Sequence, residues 1–199
     1  MTRPIILASG SDIRSQLLRN AQVPFTVIVP RVDEDTIRES LLAEGTTPRD
    51  VADALAEAKA TKVSIKHPRA LVIGCDQVLD FRGEILTKPH GIEDARTQLT
   101  GLRGNRHSLL SAVVICCEGR PIWRHIGQVR LTMRGFSDGY LESYLGRNWD
   151  SIQHAVGAYK LEEEGVRLFS RVEGDYFNVL GLPLLELLAY LTLSGDIKA

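Results

Sequence analysis

The sequence predicts an α/β fold, strands alternating with helices, and three stretches predict it. An apolar run at residues 5–9 passes through the small-residue loop Ser9-Gly10-Ser11-Asp12 into a helical stretch, a strand–loop–helix unit. Residues 48–65 carry Val51, Ala52, Leu55, Ala58 and Lys59 at the three- and four-residue spacing of an amphipathic helix. A second apolar, β-branched run, Leu71-Val72-Ile73-Gly74, ends at a glycine, as a buried strand does where another group must approach its backbone.

The remaining elements follow from the same signals. Ser11 or Asp12 is an N-cap candidate for a helix over Ile13 to Asn20. Phe25 to Val29 reads as a second strand, and the acidic Val32-Asp33-Glu34-Asp35 precedes a helix near Ile37 to Glu44. Beyond Asp76 the pattern predicts a hairpin, Val78 to Phe81 and Glu84 to Leu86 around a turn at Arg82-Gly83. A helix over Ile92 to Leu99, closed by Gly101, comes next. Two strands, His107 to Cys117 and Pro121 to Met133, are joined at Glu118-Gly119-Arg120, and Ser137 caps a short helix to Leu145. Leucines from Leu184 to Leu193 form a last amphipathic helix after Gly181-Leu182-Pro183.

Composition narrows the function. The chain has 199 residues, 44% of them hydrophobic, enough for a core in one domain or two small lobes without a separable linker. A formal net charge of −1 argues against a broad basic surface for nucleic acid, so an anionic ligand meets a few local cations. Cys75, Cys116 and Cys117 form neither a disulfide framework nor a metal-binding spacing and suit a reducing compartment. The apolar run that follows Met1-Thr2-Arg3-Pro4 is too short for a signal core or a membrane span. A cytoplasmic protein with no membrane partner is expected.

The chemistry-bearing residues cluster around the second apolar run. Asp76 sits where hydrophobic burial is expected to stop, and a carboxylate there needs a hydrogen bond, a cation or a metal. Gln77 adds a polar group beside it, and the hairpin returns Lys88, clamped by Pro89. A carboxylate and an ammonium at the two feet of one hairpin suit phosphate chemistry. Free N–H groups at the first helix start, with Ser9, Ser11 and Arg14, would make a phosphate cradle. Glu34 either complements a helix dipole or joins Asp76 in holding magnesium or manganese. Lys59 either snorkels outward from its helix or points into a polar cleft. Lys160 and Glu162, two apart, share a face if their segment is extended, one near phosphate and the other reading a base. Cys75, His107 and His125 read as structural.

Taken in order, Leu7-Ala8-Ser9-Gly10-Ser11 with Arg14, Val32-Asp33-Glu34, Lys59-Ala60, Gly74-Cys75-Asp76-Gln77-Val78, Gly83-Glu84-Ile85-Leu86 with Lys88-Pro89, Gly157-Ala158-Tyr159 and Glu173-Gly174-Asp175 resemble the Maf family of nucleoside triphosphate pyrophosphatases over nearly the whole chain. The resemblance implies the Maf-like (ITPase-like) fold, a mixed central sheet flanked by helices in two lobes around a nucleotide cleft, often as a homodimer. It implies cleavage between the α and β phosphates of a nucleoside triphosphate with a divalent cation. Asp76 would then activate water, Glu34 would help hold metal, and Lys59, Lys88, Ser9, Ser11 and Arg14 would bind the triphosphate. Three positions, Ile13, Gln77 and Glu162, bear on the substrate. The branch acting on dTTP and UTP looks like Arg, Thr and Gln at these places, so this chain is closer to the 7-methyl-GTP branch, where a carboxylate at Glu162 can accept from a guanine edge. Asp12 and Ile13 depart from the family's usual Pro and Arg or Trp, and Glu163-Glu164 from its small turn. The altered loop keeps open a non-catalytic nucleotide-binding regulator linked to cell division, beside the dTTP or UTP alternative.

Overall fold

The computed structural model describes residues 3–198. A mixed seven-stranded sheet carries the chain, in the order β2-β1-β3-β5-β6-β7, with β4 on β3. The strands are β1 (Ile5–Ala8), β2 (Thr26–Val27), β3 (Leu71–Phe81), β4 (Glu84–Leu86), β5 (Arg106–Cys117), β6 (Arg120–Met133) and β7 (Phe169–Glu173). The helices are α1 (Asp12–Asn20), α2 (Glu34–Ala43), α3 (Pro48–Ser64), α4 (Ile92–Leu102), α5 (Asp138–Ile152), α6 (Tyr176–Val179) and α7 (Leu184–Leu193). No helix among the described residues is long and apolar enough to cross a membrane.

Contacts divide the chain into two compact units: one of the segment up to Gln77, Leu110–Gly127 and the segment from Asp175 onward, the other of Val78–Leu109 and Gln128–Gly174. In the first unit β1 pairs in parallel with β2 and with β3, Ile5 opposite Leu71 through Ala8 opposite Gly74. Parallel strands require coverage on both faces, and both runs are accordingly apolar throughout. Leu7, Ala8, Leu71, Val72 and Ile73 are fully buried. Leu17 and Leu18 of α1 and Leu184, Leu187 and Leu191 of α7 belong to the same core.

Gly74 is the tightest point of this packing. A Cβ there would lie 2.2 Å from the Ala56 carbonyl oxygen and 2.7 Å from the Ala60 nitrogen, so α3 lies against the strand backbone itself. That is the close approach the glycine predicted. The strand does not end there, however. β3 continues through Asp76 to Phe81, and Val78 and Leu79 are buried, so hydrophobic burial does not stop at the acid.

In the second unit β3 and β4 form the expected hairpin, Leu79 opposite Leu86 and Phe81 opposite Glu84. Its turn residues Arg82 and Gly83 have left-handed φ values of 59° and 89°, which a two-residue hairpin of matching twist requires. β7 pairs antiparallel with β6, Arg130 opposite Glu173. In the first unit α2 begins at Glu34, a turn before the expected Ile37, and in the second two helices run on past their expected C-terminal ends. α4 continues through Gly101 to Leu102, which is fully buried. α5 continues past Leu145 to bury Ile152, while Arg147 and Asn148 on its added turns donate to Glu164 at 2.6 and 2.8 Å. Residues 164–168 form a 3-10 helix, and the strand starts at Phe169. β2, at the sheet edge, is reduced to two exposed residues.

Candidate active site

The first unit holds eight of the residues singled out in the sequence: Ser9, Ser11, Ile13, Arg14, Glu34, Lys59, Asp76 and Gln77. Ser11 caps α1, its side chain accepting from the Arg14 amide, so the loop Ser9-Gly10-Ser11 leads directly into the helix N-terminus. Ser9 is buried, and its Oγ accepts from the Ser11 amide at 3.2 Å and lies 3.5 Å from Arg14 Nη1. Ile13 sits on the first turn of α1, half-buried.

Lys59 settles between its two alternatives. It points inward from α3, its side chain 8% exposed, and its ammonium lies 2.7 Å from Asp76 Oδ1 and 2.9 Å from Glu34 Oε2. The close seating of α3 on Gly74 carries the helix near enough to β3 for this reach. Glu34 starts α2 behind the cap Asp33, whose side chain accepts from the Thr36 amide at 3.1 Å. Both carboxylates therefore converge on one cation. Lys59 is the ammonium against Asp76. Lys88 belongs to the second unit, exposed at the bend after β4.

Burial drives the electrostatics. It pushes the Asp76 carboxyl above the usual carboxylate range, against the pull of Lys59 and of Arg14, with Glu34 adding to the rise. A carboxylate so placed is a stronger base than an exposed one. The neighbouring Cys75 thiol is pushed up to about 11 by its complete burial, so it stays protonated and packs as an apolar side chain.

Gln77 turns out to be committed within the protein. Its Nε2 lies 2.9 Å from Ser111 Oγ, 2.9 Å from the Asn178 carbonyl and 3.1 Å from the Val179 carbonyl. Ser111 donates to the same Asn178 carbonyl at 2.6 Å. Sequence reasoning gave no role to Ser111 or to Asn178, both buried; the polar Ser111 within the apolar run of β5 was the available signal.

The second unit holds Lys88, Lys160 and Glu162. Residues 161–163 form a turn, so the two-residue period of an extended chain does not put Lys160 and Glu162 on one face. Lys160 donates to Ser151 Oγ at 2.7 Å and pairs with Glu163 at 3.3 Å, while Glu162 is exposed. The histidines are structural as expected: His107 Nε2 lies 2.7 Å from the Tyr159 hydroxyl, and His125 stacks on Trp123.

The first unit thus joins a helix N-terminus to a buried Lys59–Asp76 pair with the partly exposed Glu34 at its edge, an arrangement whose chemistry suits phosphates. The Maf family profile, described as Maf-like protein, matches residues 4–193. Over 197 residues, 99% of either chain, the sequence is 65% identical to a nucleoside triphosphate pyrophosphatase of Ruegeria pomeroyi. It is 64% identical over the same share to a protein of that name from Roseobacter denitrificans. A 7-methyl-GTP pyrophosphatase of Brucella abortus is 47% identical over 191 residues, 96% of each chain. The chain belongs to the Maf family.

Proposed function

We propose that this protein, a nucleoside triphosphate pyrophosphatase and thus a hydrolase, acts on 7-methyl-GTP, releasing the monophosphate and pyrophosphate. The chemistry rests on one observation, the Lys59 ammonium held between Asp76 and Glu34. Asp76 takes the proton of a water whose oxygen bonds to the α-phosphorus. The α–β bridging P–O bond then breaks and its electrons leave with pyrophosphate. Lys59 and Lys88 offset the triphosphate charge, Ser9 and Ser11 with the α1 N-terminus bind its oxygens, and Lys160 serves as a further substrate ligand.

A divalent cation, magnesium or manganese, belongs to the proposal. Among the described residues no three His, Cys, Asp or Glu side chains gather into a closed cage. Two converging carboxylates do fit a hard cation that takes its other ligands from phosphate oxygens and water. Glu34 and Asp76 would hold it, and it would supply charge neutralisation at the phosphates. The base preference rests on the exposed carboxylate of Glu162 and on the Brucella relative's printed name. A homodimer in a reducing cytoplasm completes the reading, and sedimentation at working concentration measures the first part.

The test is pyrophosphate release by the wild type and Asp76→Asn on 7-methyl-GTP, GTP, dTTP, UTP and CTP, with and without magnesium or manganese. Fastest turnover on 7-methyl-GTP, lost by roughly 10²- to 10⁴-fold in a folded Asp76→Asn, is expected. Preference for dTTP or UTP would keep the mechanism and overturn the base assignment.

A further inference from the structure

Arg14 was expected to bind phosphate, but its guanidinium is already engaged with the protein backbone. Nε donates to the Gly181 carbonyl at 2.7 Å, and Nη1 donates to the Cys75 carbonyl at 3.2 Å. Cys75 immediately precedes Asp76 on β3. Gly181 has a left-handed φ of 85°, and a Cβ on it would come within 3.0 Å of Arg14 Nη2, so the chain turns there with no side chain between it and the guanidinium. On the other flank of Asp76, Gln77 holds the Asn178 and Val179 carbonyls at the end of α6, just before that turn. The stretch 178–181 is thus tied to β3 on both sides of the acid.

We infer that Arg14 is a positioning residue: its guanidinium fork joins the Cys75 carbonyl to the Gly181 turn and so fixes the backbone from which Asp76 projects. The planar fork suits this task. It presents donors in fixed directions to two carbonyls at once, which a lysine ammonium on a flexible stem cannot reproduce. A lost phosphate contact, by contrast, would weaken substrate binding and so raise KM. The inference rests on the pyrophosphatase reading only for its assay, so the substrate used is whichever of 7-methyl-GTP and dTTP the wild type turns over faster.

The test separates kcat from KM in Arg14→Lys, Gly181→Ala and the double variant. A loss of roughly 10- to 100-fold in kcat with KM within about threefold is expected for each single variant, since a displaced acid slows chemistry while ground-state binding is kept. The double variant is expected to be no worse than the worse single one, because both break the same link. Retained kcat in Arg14→Lys, a KM rise above about tenfold, or multiplicative losses in the double variant would each overturn the inference. Should Arg14→Lys fail to fold, the kcat and KM of Gly181→Ala decide. A wild type inactive on both nucleotides would count against the substrate reading. The link would then be judged by Asp76 itself: faster amide exchange around Cys75 and Asp76 in Gly181→Ala supports it, and unchanged exchange overturns it.

Discussion

Each unit buries a titratable side chain, and the two are treated in opposite ways. Asp76 in the first unit is 6% exposed and lies among Lys59, Arg14 and Glu34. His107 in the second is 3% exposed and lies among rings, hydrogen-bonded to Tyr159 and tilted against Phe169. Burial raises the acid and lowers the histidine to about 4, in both cases toward the neutral form. Only the acid has charged partners that oppose the shift. Burial alone therefore does not mark a functional group; burial against a set of opposing charges does. An uncharged imidazole in an aromatic nest supports packing, whereas the acid keeps two cations within reach.

Removing Lys59 should break this contrast with the largest effect. In Lys59→Met the Asp76 carboxylate stays buried without its ammonium, and the loss of one partner of such a pair costs about 3–5 kcal/mol. Urea unfolding should show that loss, and pyrophosphate release should fall together with it. Lys59→Met combined with Asp76→Leu should recover much of the stability and none of the activity, since an apolar pair needs no compensation. If the double variant were as unstable as the single one, the cost would lie in packing and not in the stranded charge.

The histidine gives the second test. Its pKa lies near 6.5 in the unfolded chain and is depressed to about 4 in the fold. The unfolded chain therefore binds the proton more readily between these values. The stability tied to neutral His107 is fully present above pH 6.5 and is lost as pH falls toward 4, by about 3 kcal/mol. His107→Phe should flatten the fall in stability over that window relative to the wild type, measured by denaturant midpoints at each pH. Equal slopes in the two proteins would place the acid sensitivity elsewhere.

What the sequence made legible follows from how local each signal is. The caps Ser11 and Ser137 accept from their own helix amides, so a few adjacent residues define those starts. The hairpin at Arg82-Gly83 is equally local. The course of β3 beyond Asp76, the last turns of α5 and the length of β2 depend on neighbours distant in sequence, which override local preference. For the site, residue types were readable but partners were not. Glu34, Lys59 and Asp76 stood out, yet the bond between Lys59 and Asp76 spans 17 positions and depends on α3 seating against Gly74. The partners of Gln77 and Arg14 include backbone carbonyls of residues 178, 179 and 181, which no residue type announces.

Gly74→Ala should test that seating. The added methyl would meet the Ala56 carbonyl at 2.2 Å, backbone that cannot swing aside, so α3 must move. Overpacking of this kind costs about 1–3 kcal/mol. Activity should fall as well, because a shifted α3 carries Lys59 away from Asp76. Thermal unfolding beside turnover measures both, and a destabilised enzyme with undiminished kcat would show that Lys59 does not depend on the helix position.

Glu162→Gln carries the smallest expected effect and extends the contrast to the substrate. Glu162 is exposed on a turn, unlike Asp76, so its replacement should leave stability within about 0.5 kcal/mol of the wild type. A glutamine keeps one carbonyl acceptor but loses the charge and the second acceptor. Discrimination between 7-methyl-GTP and dTTP, taken as the ratio of their kcat/KM values, should fall by about tenfold, the scale of one charge-assisted hydrogen bond. The neighbouring Glu163 supplies the control, since it is held by Lys160 and Ser151. Glu163→Gln should loosen Lys160 and affect both nucleotides alike. An equal loss of discrimination in the two variants would mean that the turn as a whole, rather than the Glu162 carboxylate, distinguishes the base.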